Sequence, residues 1–163
     1  MEMFADPNTV IFGKLLLATV LGMFIGTERA VVGKRAGTRT FALVAMGAAL
    51  FIIISTNVTA QYLGVVNFDP MRVTASIVAG IGFIGAGLIV FREKALRGLT
   101  TAAGLWVAAA VGVAVGYGMY AIAIFASVLT LIVFTLLWFF EYQMKKWFAP
   151  SESYNEREDM DDE

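Results

Sequence analysis

Five long apolar stretches, separated by short clusters of charge, constrain this 163-residue chain more than any motif in it. A bilayer core about 30 Å thick is crossed by about 20 helical residues rising about 1.5 Å each. The stretches near Val10–Thr27, Arg39–Thr56, Arg72–Phe91, Leu99–Gly116 and Met119–Phe140 approach or meet that length. Apart from residues at their boundaries, Lys14 is the one charge inside them, a turn from an end, where its stem can snorkel. The chain is 59% hydrophobic and 15% charged, against roughly 45–50% and about 25% in an average soluble domain. The expected fold class is therefore all-α, a polytopic membrane bundle of five transmembrane helices over residues 1–149. Residues 150–163, "PSESYNEREDMDDE", hold seven acids and one Arg, the composition of a disordered, solvated cytoplasmic tail.

Lys and Arg set the expected orientation, because they collect on the cytoplasmic side. The first loop carries Arg29, Lys34, Arg35 and Arg39, the third Arg92, Lys94 and Arg97, and Lys145 and Lys146 follow the fifth stretch. The alternate side has only Lys14 and Arg72. The amino terminus is expected outside and the carboxyl terminus in the cytoplasm. "MEMFADPNT" has two acids and no base before the apolar run, which is not the start of a secretory signal; Asp6-Pro7-Asn8-Thr9 reads as a helix start.

Absent residue types narrow the chemistry. There is no Cys and no His, which removes disulfides, thiol nucleophiles, imidazole bases and the usual zinc sites. No paired carboxylates lie within a stretch for acid–base work, so no catalytic residue is expected and the chain is read as not an enzyme. A net charge of −1 leaves no basic face for nucleic acid.

Gly80-Ile81-Gly82-Phe83-Ile84-Gly85 matches the G-x-G-x-x-G of dinucleotide sites. Such a site needs a strand before the glycines and an acid about 20 residues on; here the glycines lie in mid-span, and "TTAAGLW" follows at 100–106 with no acid. Helix packing explains them better. Ala75, Ala79, Gly82 and Ala86 strip one face of the third span, with Gly85 nearby; Gly104, Ala108, Gly112 and Gly116 do the same for the fourth, and Gly22 and Gly26 for the first. Helices in lipid gain little from hydrophobicity against one another, so close backbone approach must hold them. The third and fourth spans are expected at the centre of the bundle and the bulky fifth at its edge, and the small faces invite self-association into a homodimer. Gly80, Gly82, Gly85 and Gly87 together also allow a bend or break in the third span.

Ionisable residues near membrane spans are candidates for function. On the cytoplasmic side they are Glu28 and Arg29 closing the first span, Arg39 and Thr40 opening the second, and Arg97, Thr100 and Thr101 opening the fourth. Glu28 lies at a helix carboxyl end, where the macrodipole opposes a negative charge, so it calls for a cation: Arg29, Arg39 or Arg97. The arginines, threonines and free helix N–H groups could hold an anion or a lipid phosphate, or they are interfacial ion pairs and caps. On the other side Asp69 and Arg72 flank Pro70, as a cap with an ion pair or as a point where a cation enters. Mg²⁺ parts reluctantly with its water and favours carboxylates, yet Glu28 and Asp69 fall on opposite faces of the membrane and cannot share one ion. An Mg²⁺ pathway would have to use backbone carbonyls; metal ligands are not identified, and no cofactor beyond Mg²⁺ itself is in view.

"LGMFIGTERAVVGKRAGTRTFALVAMGAALF" (21–51), "DPMRVTASIVAGIGFIGAGLIV" (69–90) and "LRGLTTAAGLWVAAAVGV" (96–113) resemble the MgtC/SapB family of membrane proteins, with a likeness over about residues 10–140. Its motif positions correspond to Glu28, Arg29, Arg39, Thr40, Asp69, Pro70, Arg72, Gly82, Gly85, Arg97, Gly98, Thr100, Thr101 and Trp106 of this chain. The resemblance implies a multi-pass protein of the bacterial inner membrane, tied to Mg²⁺ homeostasis and, in some relatives, to virulence. It implies a regulatory action through a partner such as the F-type ATP synthase or another membrane protein, with transport of Mg²⁺ or another ion as the alternative. Many members carry a soluble domain after the last span; the acidic tail stands in that place here, which puts the expected function in the membrane part.

Overall fold

The structure, a computed structural model, describes residues 6–34, 36–62, 69, 71–92 and 95–148. The expected tail at 150–163 and Pro70 lie outside the described residues. Among the described residues five helices run in chain order: α1 (Pro7–Val31), α2 (Thr38–Gln61), α3 (Met71–Leu88), α4 (Leu99–Gly116) and α5 (Tyr120–Phe148), with a hairpin of β1 (Val90–Arg92) and β2 (Ala95–Arg97) between α3 and α4. All five helices are long and apolar enough to cross a membrane. In lipid a backbone polar group has no water to bond, and a helix satisfies its N–H and C=O groups internally. The all-α membrane bundle read from the sequence is the fold.

Local chemistry sets the ends. The Asp6 carboxylate accepts from the Asn8 N–H at 3.1 Å, and Pro7 occupies the first turn of α1. α1 ends at Val31, just before Gly33, whose φ of +69° accompanies bonds from Gly33 N–H to the Ala30 carbonyl and from Lys34 N–H to that of Arg29. This pair of bonds ties down carbonyls that the helix end leaves free. In α2 the polar side chains serve their own helix: Thr56 donates to the Ile52 carbonyl, Asn57 to Ile53 and Thr59 to Ser55.

The third span ends earlier than the expected Phe91. α3 stops at Leu88, and Val90, Phe91 and Arg92 pair antiparallel with Arg97, Leu96 and Ala95. Gly98 makes the return possible: its φ is +93°, and a Cβ there would overlap the Leu88 carbonyl. The four glycines of α3 do not break it, since the helix is continuous from Met71 to Leu88.

The chain divides into two compact units, one ending at Leu131 and the other beginning at Ile132, within α5. In the first unit α2 and α4 share the centre. α2 packs on α1 and α4, α4 also packs on α1, and α3 lies chiefly on α4. The fourth span is thus central as expected, half of it buried, but the third is not: α3 buries only Ile81 and Gly85, and α2 takes the central place expected for it. Ala45 of α2 shows how the centre is built. A Cβ on Gly22 of α1 would come within 2.9 Å of the Ala45 Cβ, and one on Gly112 of α4 would overlap the Ala45 carbonyl. One turn along, Gly26 meets Thr38 and Phe41, and Gly116 meets Ile52. α2 presents Ala42, Ala45, Ala48 and Ala49 to these neighbours, all buried, so small residues face small residues and the backbones close up.

α3 is different. Gly85 is buried with Ala102 at ordinary contact distance, but Ala75, Ala79, Gly82 and Ala86 are exposed, and a Cβ on Gly82 would meet nothing within 4 Å. Among the described residues, nothing packs closely on this stripped face of α3. In the first unit, α5 buries only a narrow face, Ala123, Ser127 and Thr130, and leaves Ile122, Phe125 and Leu129 exposed, in keeping with an edge position.

Candidate functional site

One end of the bundle gathers the close of α1, the starts of α2 and α4, and the hairpin. Arg29 stands on the inward stripe of α1, in register with Ala18, Gly22, Ile25 and Gly26, and is 4% exposed. A guanidinium so placed needs a counter-charge, and Glu28 supplies it. Nε of Arg29 donates to one carboxylate oxygen of Glu28 and Nη2 to the other at 2.6 Å. Adjacent residues on a helix do not normally face each other; two long side chains bending together make this forked pair, and Glu28 is itself nearly buried. The macrodipole opposes Glu28 and favours Arg29 at this helix end, so the pair also cancels a local penalty.

Of the three cations that the sequence offers to Glu28, the structure brings up Arg29. Arg39 and Arg97 are exposed and, among the described residues, pair with no acid. Thr101 is buried on the inward stripe of α4 with Leu105, Ala108 and Gly112, whereas Thr100 is exposed and Thr40 half-buried. Gly104 is buried as well. Both helix starts have glycine at the cap, Gly37 for α2 and Gly98 for α4, with no side-chain cap bond. Backbone N–H groups therefore remain available at the same end as Arg39, Arg97 and the threonines.

Asp69 and Arg72 lie at the opposite end. The Asp69 carboxylate accepts from the Met71 N–H at 2.9 Å and its carbonyl accepts from the Arg72 N–H at 3.1 Å. Asp69 thus acts as the expected cap, but the expected Asp69–Arg72 ion pair is not formed: the carboxylate faces the helix N–H groups, and both residues are exposed. Glu28 and Asp69 are a helix length apart. Among the described residues no group of three or more acidic, His or Cys side chains lies together.

Sequence reasoning missed what Lys14 does. Its ammonium donates to the Gly116 carbonyl at 3.1 Å, tying the first turns of α1 to the last turn of α4, where a cation is favoured by the helix dipole. A lone cation inside a span, level with a helix ending in Gly116-Tyr117-Gly118, was the available signal. At this end Thr74 of α3 also hydrogen-bonds the Tyr117 hydroxyl at 2.9 Å.

Comparison with known proteins adds the lineage. The chain is similar to YhiD of Escherichia coli K12, which carries the name of a candidate magnesium transporter, at 48% identity over 74% of this chain and 57% of that protein. A protein of Haemophilus influenzae is 40% identical over 80% of this chain and 56% of its own length. MgtC of Salmonella typhimurium is 44% identical over 76% of this chain and 50% of its own length. The chain spans about half the length of these curated relatives. No solved structure matches it. The MgtC family model matches residues 15–143, across all five helices, and the chain belongs to the MgtC family.

Proposed function

We propose that this protein is a non-enzymatic component of Mg²⁺ homeostasis in the bacterial inner membrane, and that it works by contact with partner membrane proteins rather than by carrying Mg²⁺ itself. The relatives' names support the Mg²⁺ connection. The observation that carries the regulatory reading is that both candidate carboxylates are engaged: Glu28 is forked onto Arg29, and Asp69 caps α3. An ion pathway through either would have to break these bonds, and the two positions lie at opposite ends. The lack of His and Cys in the chain supports the non-enzymatic part.

The alternative is a transporter of Mg²⁺ or another ion, favoured by the name of the Escherichia coli relative. Liposomes holding only this protein and an enclosed Mg²⁺-sensitive dye separate the two. The regulatory reading expects no flux above protein-free vesicles. Saturable flux would reject it, and loss of that flux in Glu28→Gln or Asp69→Asn would put the altered residue on the pathway.

A further inference from the structure

Between α2 and α3 lies a groove of about 450 Å³. Ala48 and Phe51 of α2 and Val73, Gly80 and Ile84 of α3 form its walls, and Ala109 of α4 its floor. The lining is apolar except for Ser76, near the start of α3. Val73 to Ile84 spans about 16 Å along α3 at about 1.5 Å per residue, so the groove is a long slot running along the helix. A slot of this length and lining offers a methylene chain apolar carbons at about 4 Å along its whole course.

The end of the groove near the start of α3 is polar. Arg72 lies one turn before Ser76 on the same edge, and the Ser76 hydroxyl donates to the Arg72 carbonyl at 3.0 Å. The Arg72 side chain is exposed and pairs with no acid among the described residues. We infer that the groove holds one acyl chain of a membrane phospholipid, with the lipid phosphate on Arg72 and its ester region at the serine end. A cation at the mouth of an apolar slot is complementary to an anionic headgroup on an apolar chain.

The test is native mass spectrometry of the full chain released from vesicles of dioleoylphosphatidylglycerol and dioleoylphosphatidylethanolamine. Gly80→Phe fills the groove, since a Cβ at Gly80 meets nothing within 4 Å. Gly82→Phe places the same bulk on the exposed far face of α3 and serves as the control. The expected result is one retained phospholipid on the unaltered protein and on Gly82→Phe, with at least a tenfold loss on Gly80→Phe. Arg72→Gln is expected to lower phospholipid retention several-fold while leaving retention of dioleoylglycerol unchanged. Circular dichroism checks folding; should Gly80→Phe fail it, Ile84→Trp blocks the groove at its other end. Equal retention across the groove and control variants overturns the proposal. So does a protein dimer that Gly80→Phe dissociates, which would give the groove to a second copy of this chain.

Discussion

Gly112 of α4 lies so close to Ala45 of α2 that a methyl group on the glycine would overlap the alanine carbonyl oxygen. On its other side the same alanine meets Gly22 of α1. Three helices therefore meet at one small residue, and the closeness of their backbones replaces the hydrophobic drive that lipid removes.

Gly112→Ala is expected to destabilise the protein by about 3 kcal/mol or more, the upper part of the range for overpacking, because a backbone carbonyl cannot rotate aside. Gly82→Ala has open space and is expected to be neutral, or to gain up to about 1 kcal/mol from helix propensity. Reversible unfolding in detergent micelles measures both; equal effects would disprove the α2–α4 contact.

Breaking the Glu28–Arg29 fork from one side strands a buried charge. Arg29→Met is expected to cost about 3–5 kcal/mol, the range for an uncompensated member of a buried pair. Adding Glu28→Gln to it is expected to restore part of that loss. A double-mutant cycle with no coupling between the two positions would show that the pair does not hold the end of α1.

Lys14→Met removes a charged donor from the Gly116 carbonyl. The expected cost is about 1.5 kcal/mol, the lower end for bonds to charged groups, since the contact is only part-buried. An unchanged thermal midpoint in micelles would assign Lys14 to the headgroup region instead.

Orientation is testable because the chain has no cysteine of its own. A single cysteine at Lys34 is expected to resist a membrane-impermeant maleimide in intact cells and to react after lysis. One at Tyr62 is expected to react in intact cells. The reverse pattern would invert the topology derived from the Lys and Arg distribution.

The number of helices and their type were legible without coordinates. A bilayer admits few backbone solutions, so an apolar run of sufficient length reads as a helix. Asp6 and Asp69 were readable as caps because capping is local. The hairpin at Val90–Arg97 was not, because a three-residue strand pair inside an apolar run carries no period of its own. The Ala42-Ala45-Ala49 stripe of α2 was present in the sequence but less conspicuous than the glycines beside it.

That α2 rather than α3 joins α4 at the centre was decided in three dimensions. Gly82 and Gly112 look alike in sequence, each a small residue on a stripped helical face, yet one faces open space and the other a carbonyl of α2. The partner of Glu28 and the role of Lys14 were settled in the same way. Length and apolarity are properties of a single segment, and lipid reads them directly. Close packing is a property of two surfaces together, so a small-residue face acquires meaning only from the neighbour that the folded chain sets against it.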